Sequence, residues 1–161
     1  GGMTAAGLIG LLFAGVDRND PRIQAAYKWM TTNYTLETNP GTDAKHGLFY
    51  FYNAFAKVMA AYGDDTFTDG KGQVHNWRNE LAQKLVSLQA ADGSWVNPDS
   101  NKWWENNPHL VTAWTVIALE QIVRGPIHAR CVDAARAAGG DTGLFAAVRR
   151  GGAGADARDP G

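Results

Sequence analysis

The sequence has one cysteine, almost no net charge and no apolar run of membrane-spanning length. Cys131 alone forms neither an intrachain disulfide nor a multi-cysteine zinc site, so the redox compartment cannot be read from it. Fifteen basic and sixteen acidic residues give a net charge of −1, and without a basic stripe we expect no nucleic-acid partner. The most apolar run, residues 5–16, is shorter than the ~20 residues of a membrane span.

Familiar catalytic and cofactor motifs are missing as well. Nucleophile elbows, phosphate-binding glycine loops and metal-spaced His and Glu pairs are absent from the sequence. We therefore expect no cofactor and no metal. The start Gly1-Gly2-Met3 is typical of a cut inside a longer protein, which leaves room for a signal peptide upstream and leaves the compartment open.

What the sequence does contain is a series of five helical patterns. They cover residues 3–16, 21–33, 46–62, 73–88 and 109–123. In the first, third and fifth, apolar residues surround the axis, which is typical of a helix enclosed by neighbours. The second and fourth carry a single apolar stripe. This alternation predicts two layers of antiparallel helices, with the enclosed helices inside.

Several local signals support these boundaries. Asp20 before Pro21 is a good N-cap, and Gly63 suits the end of the third helix. The alternating aromatics of residues 49–52 also fit a short strand, but the long Ala-rich run around them favours a helix. Residues 124–161 are rich in Gly and Ala, so we expect residues 1–123 to fold and the remainder to be a disordered or marginally helical tail.

The end of the fourth helix carries the most informative motif. A leucine stripe is broken by Asp92-Gly93, where Gly93 supplies a positive φ, and Trp95 follows. We expect the Gln89 amide to bond orphan backbone groups of its own or a neighbouring helix while the Trp95 indole covers it. Such a turn would join one helical layer to the next. An ordinary helix followed by an Asp-Gly turn is the alternative.

The order Gln89-x-x-x-Gly93-x-Trp95 resembles the Gln/Trp repeat of squalene and oxidosqualene cyclases, whose superfamily includes protein prenyltransferase β subunits. Further segments look like the prenyltransferase/squalene-oxidase repeat proteins of bacteria: residues 5–8, 39–41, 47–52, 92–97 and 107–113. The resemblance covers residues 4 to about 123. It implies an all-α fold, a partial α/α toroid of antiparallel helical hairpins.

The same resemblance implies that the chain is a fragment. Its parent would enclose an apolar cavity for an isoprenoid ligand, completed by the remainder of the toroid or by a second copy. Cyclases protonate their substrates with an Asp-rich motif that is absent here, and we expect the nearest carboxylate pair, Asp64-Asp65, to be solvated. Cys131 lies in the tail, so a prenyltransferase zinc site is not expected either. We predict a cyclase-like parent and a chain that is inactive alone.

Weak catalytic candidates remain near the predicted inner helices. His46 and His109 each open one, where a polar contact or a general base would lie, although a capping or surface histidine is the favoured alternative. With His46, the residues Tyr50, Tyr52 and Asn53 would suit a polysaccharide lyase, in which Tyr and His exchange the proton alpha to a uronate carboxylate. Core packing is the favoured role of these three residues.

Aromatic side chains are the remaining candidates for ligand contact. The cavity that the resemblance implies would be lined by Phe49, Tyr50, Tyr52 and Trp114. The segment Trp103-Trp104-Glu105-Asn106 fits a carbohydrate-stacking edge, or else a plug at the end of the helices. A non-catalytic repeat scaffold for a polymer or a protein is therefore the second functional hypothesis, and a lyase-like toroid is the third.

Overall fold

The computed structural model describes residues 1–42 and 45–137, with side chains placed up to Arg124. Everything described below belongs to the compact unit Gly1–Arg124 unless stated otherwise. The helices and strands are α1 (Gly2–Phe13), α2 (Pro21–Thr32), α3 (Leu48–Tyr62), β1 (Thr66–Thr68), β2 (Val74–Asn76), α4 (Trp77–Ser87) and α5 (Pro108–Ala137). A short 3₁₀ turn covers Lys102–Trp104. The fold is mainly helical, as expected, with one unexpected hairpin.

The centre of the fold is α3. Eleven of its 15 residues are buried, and it packs against α1 and α4. Gly63 ends the helix with a φ of +92°, a conformation that a glycine adopts without strain. The predictions of an enclosed third helix, of its end and of a helical rather than extended segment at residues 49–52 are confirmed.

The two amphipathic helices also match the sequence pattern. Helix α2 buries Ile23 and Met30 on one face, and α4 buries Trp77, Leu81 and Leu85 on one face. Asp20 caps α2, because its Oδ1 accepts a hydrogen bond from the Arg22 backbone N–H at 2.9 Å. Both helices therefore turn one side to the core and one to solvent.

The prediction that α1 and α5 are enclosed is wrong. In α1 only Gly2, Ala5 and Leu8 are buried, whereas Met3 is 79% and Phe13 76% exposed. Helix α5 likewise leaves Val116 54% exposed. Helix α1 makes its main contacts with α3 and α2, so one of its sides has no cover in the described part of the chain. A helix with apolar residues on all sides is not necessarily covered on all sides by other parts of the chain.

Helix α5 is also longer than expected, since it continues past residue 123 to Ala137. Pro126 has no N–H to donate to the Ile122 carbonyl, which would normally end or kink the helix. That carbonyl instead accepts a hydrogen bond from Arg78 Nη1 at 3.1 Å, and Arg78 also binds the carbonyl of Gln121. Within the segment expected to be a disordered or marginally helical tail, α5 continues to Ala137, and residues 138–161 lie outside the described residues.

The β-hairpin occupies a segment expected to be a loop and the start of the fourth helix. Thr66 pairs with Asn76 and Thr68 with Val74, and the Asp69 carboxylate closes the turn by accepting the backbone N–H groups of Lys71 and Gln73 at 2.8 Å each. Helix α4 starts only at Trp77. The strands are three residues long, too short to give a clear alternating pattern in the sequence.

The predicted link between layers depends on Trp95 and not on Gln89. The Trp95 indole N–H donates to the Leu85 carbonyl at the end of α4 (2.7 Å), and its backbone N–H donates to Thr112 Oγ1 of α5 (3.1 Å). Gln89 is exposed and its amide donates only to the Gly93 carbonyl of its own turn, at 2.9 Å. Gln89 was expected to bond orphan groups of its own or a neighbouring helix under the cover of the indole. It is instead exposed, because the turn at Asp92-Gly93 places the Gly93 carbonyl within reach of its amide.

Candidate ligand-binding cavity

A cavity of about 640 Å³ lies beside the first turn of α3. It is lined by residues from α1, the loop before α3, the 3₁₀ turn and α5: Gly2, Met3, Asn39, Gly47, Tyr50, Trp103, Trp104, Leu110 and Trp114. The lining is largely apolar, and none of these described residues is acidic, basic or a histidine. Small-molecule sites in proteins usually have this volume and this character.

Aromatic rings dominate the cavity wall. Tyr50 and Trp114 pack edge to face with their ring centroids 5.7 Å apart, which joins α3 to α5. Trp103 is 58% and Trp104 74% exposed, and the Lys102 ammonium lies 5.0 Å from the centre of the Trp103 ring. Two large indoles are thus presented at the opening.

The backbone that carries the two indoles is strained. Trp103 has a φ of +55° and Trp104 a φ of +61°, a left-handed conformation that costs a non-glycine residue about 1–2 kcal/mol. Conformations of this kind are concentrated at functional sites, where the surrounding structure holds them. Gly47 faces this turn with a φ of +69°, and a Cβ there would lie 3.2 Å from the Trp103 ring. The Trp103 ring therefore packs on glycine backbone.

Behind the indoles lies a carboxylate that is fully buried. Glu105 Oε1 accepts from the backbone N–H groups of Phe49 (2.9 Å) and Tyr50 (3.0 Å), and its Oε2 accepts from that of Leu48 (3.1 Å). The Asn97 side-chain amide donates to the same Oε2 at 2.7 Å. The first N–H groups of a helix have no intrahelical partner, and their dipoles favour an anion. Glu105 thus caps α3 from 57 residues away in sequence.

The main polar side chain of the lining, that of Asn39, is occupied on both sides. Its Oδ1 accepts from the Gly2 N–H at 2.9 Å, and its Nδ2 donates to the His46 carbonyl at 3.2 Å. Asn39 therefore ties the start of α1 to the loop that leads into α3. It holds the wall together and has little left to offer a ligand.

The residues expected to line a cavity separate into two groups. Tyr50 and Trp114 line it. Phe49 and Tyr52 lie in the core and are not lining residues, because successive positions on a helix point about 100° apart. The Tyr52 hydroxyl donates to the Leu36 carbonyl, and burial raises the pKa of this hydroxyl.

The weak catalytic candidates do not converge. His46 Nδ1 lies 2.6 Å from Ser100 Oγ, while His109 is exposed at the start of α5, where its backbone N–H donates to Asn107 Oδ1 at 3.0 Å. Asn53 is buried inside α3. Of the residues suggested for a lyase, only Tyr50 faces the cavity.

The adjacent carboxylates Asp64 and Asp65 are held by arginines. Asp64 Oδ1 lies 3.1 Å from Arg18 Nη2, and Asp65 Oδ1 lies 2.7 Å from Arg78 Nε. Asp64 also accepts a hydrogen bond from the Tyr27 hydroxyl at 3.2 Å. Asp64 and Asp65 thus belong to ion pairs around α2 and α4, and neither of them lines the cavity.

A second polar cluster lies at the hairpin, away from the cavity lining. His75 Nδ1 lies 2.9 Å from Glu80 Oε2, and His75 Nε2 lies 3.3 Å from Asp69 Oδ2 in an orientation too poor for a hydrogen bond. The Tyr34 hydroxyl donates to Glu80 at 3.1 Å. These contacts hold the hairpin on α4. Among the described residues no group of three or more Asp, Glu, His or Cys side chains is arranged to hold a metal ion.

Six residues of the site were not anticipated from the sequence in these roles. They are Gly2, Met3, Asn39, Gly47 and Leu110 in the lining and Glu105 as its support. Asn39 and Gly47 belong to segments that resemble the cyclase-like repeats, which is the nearest signal in the sequence. Capping of a helix by a carboxylate distant in sequence follows no spacing rule, so the sequence contained no signal for the role of Glu105.

Comparison of the chain with family models, with curated proteins and with solved structures finds no match. Within the described residues, no helix combines the length and the apolar character needed to cross a membrane. The functional argument therefore depends on the cavity itself.

Proposed function

We propose that this chain is part of an α/α-toroid protein and that its aromatic cavity binds an apolar, isoprenoid-like ligand. The observation that carries the proposal is the wall of four aromatic side chains, Tyr50, Trp103, Trp104 and Trp114, around about 640 Å³ of space. In the part of the chain that the structure describes, this space is lined by no acidic, basic or histidine side chain. Apolar ligands gain roughly 25 cal/mol for each Å² of apolar surface that they remove from water.

The exposed apolar sides of α1 and α5 support the toroid part of the proposal. In a closed ring, each inner helix has a neighbour on both sides. Here α3 contacts α1 and meets α5 through the ring pair Tyr50–Trp114. Met3, Phe13 and Val116 would then contact the remainder of the ring or a second copy of the chain. A cyclase-like isomerase remains the proposed parent, and its acid would come from outside the cavity wall described here.

The same exposed surfaces favour a second candidate, a non-catalytic helical scaffold. In that case the apolar sides of α1 and α5 would bind a protein partner and the cavity would have no small-molecule ligand. Titration with farnesol distinguishes the two, because a ligand site predicts that the chain binds farnesol and the scaffold predicts that it does not. The lyase hypothesis gains no support, since Tyr52 and Asn53 are buried in the core.

Titration of the chain with farnesol, an uncharged isoprenoid alcohol, by isothermal calorimetry tests the proposal. Trp104→Ala should weaken binding about tenfold, because it removes an indole worth roughly 1–2 kcal/mol of contact. Phe13→Ala is the matched control, since Phe13 is an aromatic of similar exposure on α1 that does not line the cavity. Its affinity should equal that of the wild type.

Cellopentaose, an uncharged oligosaccharide, is the opposing probe. Stacking on Trp103 and Trp104 alone would favour it, as indoles also bind sugar faces. Binding of cellopentaose without binding of farnesol would show that the turn is a carbohydrate edge and would overturn the isoprenoid proposal.

A further inference from the structure

We infer that Glu105 is the positioning residue of the cavity: its buried carboxylate holds the Trp103-Trp104 turn against the first turn of α3, which carries Tyr50. The inference deepens the proposed function, and it rests on that function only for its binding readout. It assigns a role to a side chain that is not a lining residue.

Glu105 contacts both α3, which carries Tyr50, and the 3₁₀ turn, which carries the two indoles. Its side chain accepts the Tyr50 backbone N–H at 3.0 Å, directly at the residue whose ring faces the cavity. Its backbone follows Trp104 immediately, and its own N–H donates to the Lys102 carbonyl at 3.4 Å across the 3₁₀ turn. Glu105 therefore links the turn that carries the indoles to the backbone of Tyr50.

A second link closes the same loop. The Asn97 N–H donates to the Glu105 carbonyl at 2.8 Å, while the Asn97 side chain donates to Glu105 Oε2 and to the Lys45 carbonyl. Residues 97–105 thus form a closed segment. Its side-chain contact with α3 itself is the Glu105 carboxylate, while the pairs Lys45–Asp99 and His46–Ser100 attach it to the loop before α3. The left-handed φ angles of Trp103 and Trp104 are disfavoured alone, so the segment needs an attachment of this kind to stay in place.

The charge and the number of acceptors both matter. Four N–H donors surround the two Glu105 oxygens, and a neutral amide has one oxygen with two lone pairs and an NH₂ that meets donors. Glu105→Gln keeps the size of the side chain and cannot satisfy this set. Glu105→Asp keeps the charge but withdraws it from α3 by one methylene.

The test follows the indoles themselves. The chain is labelled with 5-fluorotryptophan, the resonances are assigned by single Trp→Phe variants, and Glu105→Gln is compared with the wild type by fluorine NMR and by farnesol calorimetry. We expect the Trp103 and Trp104 resonances to move towards their unfolded positions while that of buried Trp77 stays. Farnesol affinity should fall about tenfold or more, as expected when a supporting contact of a site is lost.

Glu80→Gln is the matched control. It also removes a carboxylate that accepts several hydrogen bonds, but at the hairpin, where it binds His75, Tyr34 and the Asn76 N–H. It should lower stability and leave the Trp103 and Trp104 resonances and the farnesol affinity unchanged. If Glu105→Gln does not fold, Glu105→Asp is measured in the same way and should show a smaller shift of the same two resonances.

The outcomes separate this inference from the proposed function. Glu105→Gln or Glu105→Asp with wild-type Trp103 and Trp104 resonances would overturn it and leave Glu105 as a cap of α3 only. Unchanged farnesol affinity in a variant whose indoles have moved would also overturn it. Movement of the indoles in a chain that binds no farnesol even as wild type would support the positioning role and refute the isoprenoid proposal.

Discussion

Helices α3 and α1 have similarly apolar sequences and opposite environments. Eleven of 15 residues of α3 are buried, against three of 12 in α1, although no charged residue occurs in α1. Helix α3 contacts α1 and α4 and also meets α5 through Tyr50 and Trp114, whereas α1 is covered from the side of α3 and α2. The apolar composition of a helix therefore does not by itself determine how much of the helix is buried in the described part of the chain.

The exposed side of α1 is unusual because it is apolar and carries no charged residue. A helix whose solvent side is apolar and uncharged is rare in an isolated domain, where that side usually carries polar residues. The exposed apolar side of α1 is the surface to which the proposed function assigns contact with further helices.

The largest effect is expected from the same substitution made in each helix. Phe55 is fully buried in α3, with ring centroids 5.5 to 6.1 Å from those of Tyr34, Phe51 and Trp77. Phe55→Ala should lower the free energy of unfolding by about 3–5 kcal/mol, because it leaves a cavity in the core. Phe13→Ala in α1 should change it by less than about 0.5 kcal/mol. Urea unfolding measures both, and equal losses would mean that α1 is covered in solution.

The next effect concerns the attachment of α4 to α5. Trp95→Ala should cost about 3 kcal/mol, and Trp95→Phe about 1–2 kcal/mol, since the latter keeps most of the ring but leaves the buried Leu85 carbonyl without its donor. Exposed Lys28 of α2 is the control, and Lys28→Ala should be nearly neutral. Thermal unfolding monitored by circular dichroism ranks the stabilities of the three variants. A Lys28 variant as unstable as Trp95→Ala would contradict the role of Trp95 as the link between α4 and α5.

The sequence was informative where one helix or one turn decides the outcome. Asp20 and Gly63 predicted helix ends because capping needs only residues close in sequence, and Ile23 and Met30 predicted a buried face because a helical period fixes it. The mainly helical class followed from these patterns. The hairpin at residues 66–76 was missed because its two short strands carry too little alternation.

The sequence was least informative where distant segments meet. Glu105 looked like part of an exposed aromatic edge with Trp103 and Trp104, yet it is buried because four donors from two other segments surround it. Phe49 and Tyr50 are adjacent in sequence, but one faces the core and the other the cavity. Which side of an apolar helix meets a cavity depends on its neighbours, and these are set by tertiary packing.

Substitution of two glycines, one at the start of α3 and one inside α1, should change the free energy of unfolding in opposite directions. Gly47 has a φ of +69° and faces the Trp103 ring, so Gly47→Ala should lower the free energy of unfolding by about 1–2 kcal/mol. Gly7 lies inside α1, and an added Cβ would meet no atom within 4 Å. Gly7→Ala should therefore raise stability by about 0.5–1 kcal/mol through helix propensity. Urea unfolding of both variants checks the signs, and destabilisation by Gly7→Ala would reveal a neighbour packed on α1.

The smallest effect is a pH dependence at the start of α2, on the solvent side of the fold. Hydrogen bonds from the Arg22 guanidinium and backbone N–H lower the pKa of Asp20 from 3.8 to about 2. A carboxyl group with a lower pKa in the folded state stabilises the fold above its unfolded pKa, and this stability is lost as the pH falls towards the folded value. Asp20→Asn keeps a capping oxygen and removes the charge. The stability difference between wild type and Asp20→Asn should therefore shrink between pH 4 and pH 2, whereas a difference that is constant over this range would mean that Asp20 acts only as a neutral cap.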